Sequence, residues 1–239
     1  MLREQIPTLK FQATAGLSLG EFTALAAAEV MSFEDGLKVV RLRGRFMQEA
    51  CEATQGTMAA VIGLDEAATR AVCAEAGAEV ANLNCPGQIV ISGETTAVNK
   101  ACDLAKAKGA KRALPLTVAG AYHSKLMTSA QGKLRTVLSE VPLHLPGVPV
   151  ISNVTAKPHA TAGEIAGRLV EQVTSSVRWE ESIRYLIAEG FTRFIELGPG
   201  TALTGFMKRI DKNVHVLNVA DVASLHAAAK TLSSETQSN

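Results

Sequence analysis

The chain has 239 residues, enough for one large domain or for a core with a small companion domain. Its 24 Lys and Arg residues nearly balance its 23 Asp and Glu residues, so the overall charge gives no reason to expect nucleic acid or an anionic membrane as a partner. Hydrophobic residues make up 47% of the chain and aromatic residues 4%. This composition excludes disorder for most of the chain and predicts a core of Ala, Val, Leu and Ile.

The sequence predicts no membrane span and no secretory signal. The longest uncharged stretch, 141–156, is short and is interrupted by three prolines. No charged start followed by an apolar run precedes a small-residue cleavage site. The cysteines are widely spaced and form no C-x-x-C pair, so we expect reduced thiols and a cytoplasmic protein rather than a disulfide framework or a zinc site. These cysteines are Cys51, Cys73, Cys85 and Cys102.

The first fifth of the chain predicts a strand, a sharp turn and two helices. Leu9–Ala15 has a strand pattern, and the glycine-rich segment 16–20 predicts a turn. A helix over Leu19–Met31 follows, with Ala and Leu on nearly all sides. Ser32 then predicts an N-cap for a second helix, Phe33–Cys51.

The next 60 residues predict a small α/β unit. Its elements in chain order are a strand (57–64), a helix (65–76), two strands (80–83 and 88–92), a helix (95–108) and a strand (112–118). The order β-α-β-β-α-β is that of a ferredoxin-like unit. We therefore predict a subdomain over 56–118, inserted into a larger α/β core formed by 1–55 and 119–239.

The rest of the chain predicts alternating helices and strands. The predicted helices are 124–141, 163–173, 180–189 and 201–210, and the predicted strands are 148–153, 191–197 and 214–219. A turn at 198–200 lies between the second of these strands and the last helix. From Thr231 onward the sequence is polar and predicts a frayed tail.

The turn at Gly16-Leu17-Ser18-Leu19-Gly20 has the G-x-S-x-G pattern of a nucleophile elbow. A tight turn leaves little room for side chains at the flanking positions and lifts the Ser18 hydroxyl above the start of the next helix. The amide of Leu19 then points to where a negative oxygen would form on an attacked carbonyl. The alternative is an ordinary glycine-flanked turn in which Ser18 only caps a helix.

A serine nucleophile needs a base, and the chain offers five histidines. His123 lies in a loop just past a predicted strand and before a helix, the usual place for a catalytic group. The alternative is a histidine at a helix start that moves no proton. The other four lie in proline-flanked loops, within a strand or near the tail, and they are His144, His159, His215 and His226.

Several separate segments, in one order and spacing, carry a family resemblance. They are GLSLGEFTALAAA, VVRLRGRFMQEA, NCPGQIVISG, GAKRALPL, AYHSKLM and ELGPGTALTGFMKRI. From about Ala15 to Ile210 the chain resembles the malonyl-CoA:acyl carrier protein transacylases, the acyltransferase family of fatty-acid and polyketide synthesis. The resemblance implies an α/β-hydrolase-like core with a parallel sheet, interrupted by the ferredoxin-like subdomain. It also implies malonyl transfer from coenzyme A to the phosphopantetheine thiol of acyl carrier protein through an acyl-serine, with no metal or bound cofactor, in a monomer.

The resemblance also assigns roles to individual residues. It implies that Ser18 is the nucleophile, that His123 is the base and that the backbone carbonyl of Gln172 orients this histidine. It makes Arg43 the anchor of the malonyl carboxylate, which a planar guanidinium can hold through two parallel hydrogen bonds. From the residues alone, a solvated helix residue is the favoured interpretation of Arg43. Three further matches, at the cleft and near the coenzyme A phosphates, are Asn84, Gln88 and Arg112.

The chain departs from the family pattern at two points. Leu17 stands where the family has a histidine, and this predicts a changed neighbour rather than a lost reaction. The residues before Gly16 lack the family's glycine-glutamine-glycine loop, whose glutamine amide is the second oxyanion donor. We therefore expect a fragment of a longer enzyme, and the alternative is a weakened relative. Without that donor the rate would fall by roughly 100- to 1,000-fold.

Two rival functions remain open at this stage. One is a polyketide-type acyltransferase or an acyl hydrolase with another acyl group. The other is an inactive module that only binds an acidic carrier protein through a basic patch. Candidates for that patch are Arg41, Arg43 and Arg45, or Lys208 and Arg209.

Overall fold

The structure is a computed structural model and describes residues 1–236. The α-helices of this part are α1 (Leu2–Gln5), α2 (Leu19–Ala27), α3 (Phe33–Glu52), α4 (Glu66–Ala76), α5 (Thr95–Ala107), α6 (Thr128–Ser139), α7 (Ala162–Gln172), α8 (Trp179–Ala188), α9 (Ala202–Ile210) and α10 (Val222–Thr236). The strands are β1 (Gly56–Ile62), β2 (Glu79–Cys85), β3 (Gln88–Glu94), β4 (Arg112–Pro115), β5 (Arg193–Leu197) and β6 (His215–Val219). These elements make a mixed α/β protein. None of its helices within 1–236 combines the length and the apolar character that crossing a membrane requires.

The chain forms two compact units, one of residues 13–182 and the other of residues 1–12 and 183–236. The predicted division into 56–118 and the two flanking segments follows the order of elements instead, and it stays a prediction.

Strands β1 to β4 form one antiparallel sheet in the order β2-β3-β1-β4. Ala60 in the middle of β1 pairs with Val90 of β3 and with Leu114 of β4. Helices α4 and α5 follow β1 and β3 in the chain, so the order is β-α-β-β-α-β, as the ferredoxin-like pattern has it. Helix and sheet residues share one apolar core, and both Val72 of α4 and Ile91 of β3 are fully buried in it.

Helices α2, α3, α6 and α7 pack into a second core within the same unit. Phe22, Leu134 and Leu169 are almost completely buried there, and each lies on a different helix. Ser32 caps α3 as predicted, since its hydroxyl accepts a hydrogen bond from the backbone N–H of Asp35 at 3.0 Å.

Two predicted helices have different ends in the structure. Helix α2 stops at Ala27 rather than Met31, because Glu29 takes a positive φ of 64° that an α-helix cannot continue. Helix α6 begins at Thr128, after a short 3-10 turn at Lys125–Met127. Ser124 caps that 3-10 turn, because its hydroxyl accepts from the N–H of Leu126.

The predicted strands 9–15 and 148–153 shrink to a single parallel bridge between Thr14 and Val150. Thr14 donates to the carbonyl of Pro149 at 2.8 Å and accepts from the N–H of Ile151 at 3.0 Å. The chain turns away two residues later, at Gly16, so the ladder ends. Among the described residues, parallel strands therefore occur as this bridge, a second bridge between Asn82 and Val177, and the β5–β6 pair.

In the unit of residues 1–12 and 183–236, strands β5 and β6 pair in parallel. The Glu196 carboxylate on β5 accepts from the backbone N–H groups of Leu203 and Thr204, and so it caps the start of α9. The predicted frayed tail is wrong up to Thr236, because α10 continues to that residue and buries Leu232 against Ile6. Residues 237–239 of that prediction lie outside the described residues.

Candidate active site

Ser18 stands in a strained turn between the bridge residue Thr14 and helix α2. Its φ of 52° and ψ of −103° put it in a region that residues other than glycine seldom adopt, at a cost of about 1–3 kcal/mol. A Cβ on Gly16 would lie 1.9 Å from the carbonyl oxygen of Gly20, so only glycine fits there. A Cβ on Gly20 would meet nothing within 4 Å. The expectation that both flanking glycines are required is thus wrong for Gly20.

The Ser18 hydroxyl lies within hydrogen-bond distance of His123, 105 residues away in sequence. Ser18 Oγ and His123 Nε2 are 2.8 Å apart, and His123 Nδ1 lies 2.9 Å from the backbone carbonyl of Gln172. A carbonyl oxygen can only accept, so Nδ1 carries the proton and Nε2 is left as the acceptor for the serine hydroxyl. This is the tautomer that a general base needs.

His123 is held in a buried and strained position. It is 4% exposed and has a positive φ of 57°. Burial lowers its pKa from 6.5 to about 4, with the charge of Arg43 acting in the same direction and the bond to Gln172 opposing it. The imidazole is therefore neutral at physiological pH and able to take a proton.

Arg43, on α3, reaches the same serine. Its Nη2 donates to Ser18 Oγ at 2.9 Å and to the side-chain oxygen of Gln172 at 3.0 Å. Its guanidinium also lies over the ring of Phe22, 5.3 Å from the ring centre. Burial lowers the arginine pKa to about 10, against the opposing influence of Glu21, so the side chain stays cationic at neutral pH.

Behind the serine lies a buried polar cluster around Glu21, a residue that no sequence motif singled out. The Glu21 carboxylate accepts from Gln172 Nε2 at 2.7 Å and from the backbone N–H of Asn153 at 3.1 Å. The same carboxylate lies 2.9 Å from His159 Nε2. Asn153 is the last residue of the predicted strand 148–153, and a polar residue at a strand end was a signal that could have pointed to it.

The backbone around Gln172 is fixed from the sheet side. After Gln172 the chain continues to Val177, whose N–H donates to Ala81 at 2.8 Å and whose carbonyl accepts from Leu83 at 2.9 Å. These two bonds attach the segment to strand β2. The carbonyl that faces His123 is therefore held between helix α7 and the four-stranded sheet.

The remaining predicted residues lie beside this set or in the sheet. Leu19 is the first residue of α2, where a backbone N–H has no partner inside the helix. Asn84 is buried on β2, and its side-chain oxygen has no hydrogen-bond partner in the described chain. Gln88 begins β3, and Arg112 is exposed on β4. Direct hydrogen bonds thus join four of the predicted residues, Ser18, His123, Arg43 and Gln172. The roles of the three residues in the sheet stay predictions.

Comparison with known proteins gives the family. The model of the acyl transferase domain family matches residues 9–235. The chain belongs to this family. All the hydrogen-bonded residues of the site lie inside this matched part of the chain. Ser18, His123 and Arg43 come from three separate segments of the acyl transferase domain.

The relatives of this acyl transferase domain include named sequences and solved structures. It is 48% identical over 227 residues to the malonyl CoA-acyl carrier protein transacylase of Bacillus subtilis, with 93% of this chain and 72% of that protein covered. The crystal structure of the Clostridium perfringens malonyl CoA-acyl carrier protein transacylase aligns with a TM-score of 0.94 at 37% identity, over 98% of this chain and 75% of that one. The structure of a type II PKS acyl-carrier protein in complex with its malonyl-transacylase aligns with a TM-score of 0.92 at 39% identity, over 96% of this chain and 76% of that one.

Proposed function

We propose that the protein is a malonyl-CoA:acyl carrier protein transacylase that works through a covalent malonyl-Ser18. The observation that carries the proposal is the set of neighbours around one oxygen atom. Ser18 Oγ lies 2.8 Å from the basic nitrogen of His123 and 2.9 Å from the Arg43 guanidinium. The oxygen of the nucleophile is thus within hydrogen-bond distance both of its base and of a cation that suits an acidic acyl group.

In the first half-reaction, His123 Nε2 takes the proton of the Ser18 hydroxyl while Oγ attacks the thioester carbonyl of malonyl-CoA. A tetrahedral oxyanion forms, and the Leu19 amide at the start of α2 donates to it. The carbon–sulfur bond then breaks. His123 returns its proton to the departing sulfur, which leaves as the coenzyme A thiol, and the malonyl group stays on Ser18.

The second half-reaction repeats the chemistry in reverse with a different thiol. The phosphopantetheine thiol of an acyl carrier protein gives its proton to His123 and attacks the malonyl ester. The carbon–oxygen bond breaks, and the proton returns to Ser18 Oγ. The Gln172 carbonyl supports both halves, since it favours the charged imidazole that forms in each.

Arg43 is the reason to choose malonyl over an uncharged acyl group. A buried guanidinium that is cationic and faces the nucleophile matches a carboxylate two bonds beyond the reacting carbonyl. When malonyl is bound, we expect the carboxylate to take over from Ser18 Oγ as a partner of Arg43. We further propose that Asn84 and Gln88 line the cleft and that Arg112 contacts the coenzyme A phosphates.

The remaining parts of the proposal concern the protein as a whole. We infer an α/β-hydrolase-like core around the Thr14–Val150 bridge, which the similarity to solved transacylases supports. We propose that the protein works in fatty-acid synthesis in the cytoplasm, as a monomer, without metal or bound cofactor. The near-neutral charge is compatible with a carrier protein docking at a local basic patch rather than over the whole surface.

Intact-mass spectrometry after mixing the protein with malonyl-CoA tests the proposal. We expect one malonyl adduct on Ser18, its removal by holo acyl carrier protein, and no adduct in Ser18→Ala. Carrier binding without any adduct would select the inactive binding module instead. Transfer to water without carrier would select an acyl hydrolase, and equal loading from acetyl-CoA would select a non-carboxylated substrate.

A further inference from the structure

The strained turn at Ser18 needs an external restraint, since a positive φ at serine is unfavourable by itself. Helix α2 restrains the turn through the N–H groups of Gly20 and Glu21, which donate to the carbonyls of Leu17 at 2.9 Å and of Ser18 at 3.2 Å. The Ser18 N–H and the Gly16 carbonyl are not part of these helix bonds. Both find their partner in one side chain 135 residues further along, that of Asn153.

Asn153 binds the turn with both ends of its amide. Its oxygen accepts from the Ser18 N–H at 2.6 Å, and its Nδ2 donates to the Gly16 carbonyl at 2.7 Å. Only an uncharged amide offers an acceptor and a donor at this spacing. The two hydrogen bonds hold Gly16 and Ser18, the residues on either side of Leu17. They therefore fix the backbone conformation of the turn and the direction in which the Ser18 side chain points.

Asn153 is itself held rigidly. It is 1% exposed, its backbone N–H donates to Glu21 Oε2, and its carbonyl accepts from the N–H of Arg178 at 2.9 Å. Gln172, through Nε2, donates to the Ser18 carbonyl at 3.0 Å and to the same Glu21 oxygen. The serine backbone is thus fixed on both faces by side chains that share one buried carboxylate.

We propose that Asn153 is a positioning residue for the nucleophile, which sets the angle of Ser18 Oγ to His123 and the direction of the Leu19 amide. This inference rests on the proposed function for the identity of the nucleophile. The Asn153 side chain bonds the backbone of Ser18 and Gly16 and not the Ser18 hydroxyl. It acts through the backbone, so its loss moves the attacking oxygen and the oxyanion donor together.

The test compares Asn153→Leu, which removes both bonds, with Asn153→Asp, which keeps an acceptor for the Ser18 N–H but no donor for Gly16. Two rates are followed by intact mass: malonyl loading, and labelling of Ser18 by a small fluorophosphonate, which needs no carboxylate recognition. Val72→Ala is the control, since it weakens the apolar core between the four-stranded sheet and its helices without a contact to the turn.

We expect Asn153→Leu to lower both rates by about 100-fold, the effect of a displacement near 1 Å, with Asn153→Asp in between. The KM for malonyl-CoA and the pH midpoint of labelling should stay close to the wild type, because Arg43 and His123 are untouched. Wild-type labelling in Asn153→Leu would overturn the inference, as would an equal loss in Val72→Ala. If Asn153→Leu does not fold, Asn153→Asp decides: a reduced rate supports the inference and an unchanged rate refutes it.

The two proposals fail in different ways. Absence of malonyl loading in the wild-type protein, with normal fluorophosphonate labelling, would refute the transacylase function and leave the role of Asn153 to the labelling rates. If the wild-type protein is loaded with malonyl and Asn153→Leu is loaded and labelled at the wild-type rates, the transacylase function stands and the role of Asn153 is refuted.

Discussion

The two glycines of the G-x-S-x-G turn should respond oppositely to alanine. A Cβ at position 16 would lie 1.9 Å from the Gly20 carbonyl oxygen and 2.6 Å from the Glu21 nitrogen. Both neighbours are backbone atoms of the first turn of α2, so neither can swing aside. At position 20 the added carbon would meet no atom within 4 Å.

The expected magnitude for Gly16→Ala follows from that clash. An ordinary contact distance is near 3.4 Å, so the two backbone segments must separate by about 1.5 Å. Ser18 lies between them, and a shift of that size at a nucleophile costs on the order of 100-fold in rate or more. Overpacking at a rigid site adds about 1–3 kcal/mol of lost stability. Gly20→Ala lies in a helix and should be neutral or stabilising by less than about 1 kcal/mol.

The assay is the burst of malonyl-enzyme on rapid mixing, with urea unfolding of the same preparations. We expect Gly16→Ala to lose both the burst rate and stability, and Gly20→Ala to keep both. Near-wild-type loading in Gly16→Ala would show that the turn yields easily, and the argument from close approach would be refuted. A large loss in Gly20→Ala would show a need for glycine that contacts do not explain.

Three further predictions concern the base, the cation and the loop before the base. The pKa of His123 is lowered to about 4 in the folded protein, against 6.5 in the unfolded chain, so the rate of malonyl loading should stay level from neutral pH to well below 6.5. Between about pH 4 and 6.5 the unfolded chain binds a proton at His123 that the folded protein does not. The contribution of His123 to the unfolding free energy, measured against His123→Gln, should therefore rise with pH in this range. Arg43→Ala should lower malonyl loading roughly 10- to 100-fold more than acetyl loading, measured in parallel bursts, and equal losses would contradict its assignment. A Cβ on Gly120 would lie 2.4 Å from Cys51 Sγ, so Gly120→Ala should lose about 1–3 kcal/mol in urea unfolding, whereas Gly132→Ala, with open space in α6, should gain up to about 1 kcal/mol.

Local sequence signals predicted the parts of the site that local chemistry determines. The glycine spacing around Ser18 predicts a turn, and the loop between a strand and a helix predicts a reactive position for His123; the structure has the two side chains 2.8 Å apart. The selection of Arg43 needed the family register, because its neighbours Arg41 and Arg45 offer the same chemistry from the same helix.

Local sequence signals do not show a role that depends on a partner far along the chain. Glu21 has the sequence context of a first-turn helix residue, yet it is fully buried because partners from 132 to 151 residues away complete its hydrogen bonds. The strand prediction for 148–153 failed for a related reason. Its apolar pattern marks burial correctly, since Val150 and Ile151 are fully buried, but pairing needs a second extended segment, and the turn at Gly16 ends that segment early.

The buried cluster also explains how a cation can be kept available for an acidic substrate. Arg43 faces Glu21 across Gln172, whose oxygen accepts from Arg43 at 3.0 Å and whose nitrogen donates to Glu21 at 2.7 Å. A carboxylate bonded directly to the guanidinium would compete with the malonyl group. The Glu21 carboxylate, separated from Arg43 by the Gln172 amide, still raises the arginine pKa but leaves the guanidinium free for the malonyl group. In the described chain the Arg43 Nε has no hydrogen-bond partner, and a buried donor left open is costly unless a ligand completes it. Replacement of Gln172 by Glu would bond a carboxylate directly to the Arg43 guanidinium and would replace the donor to Glu21 by an oxygen. Malonyl binding should therefore weaken, which a raised KM for malonyl-CoA would show.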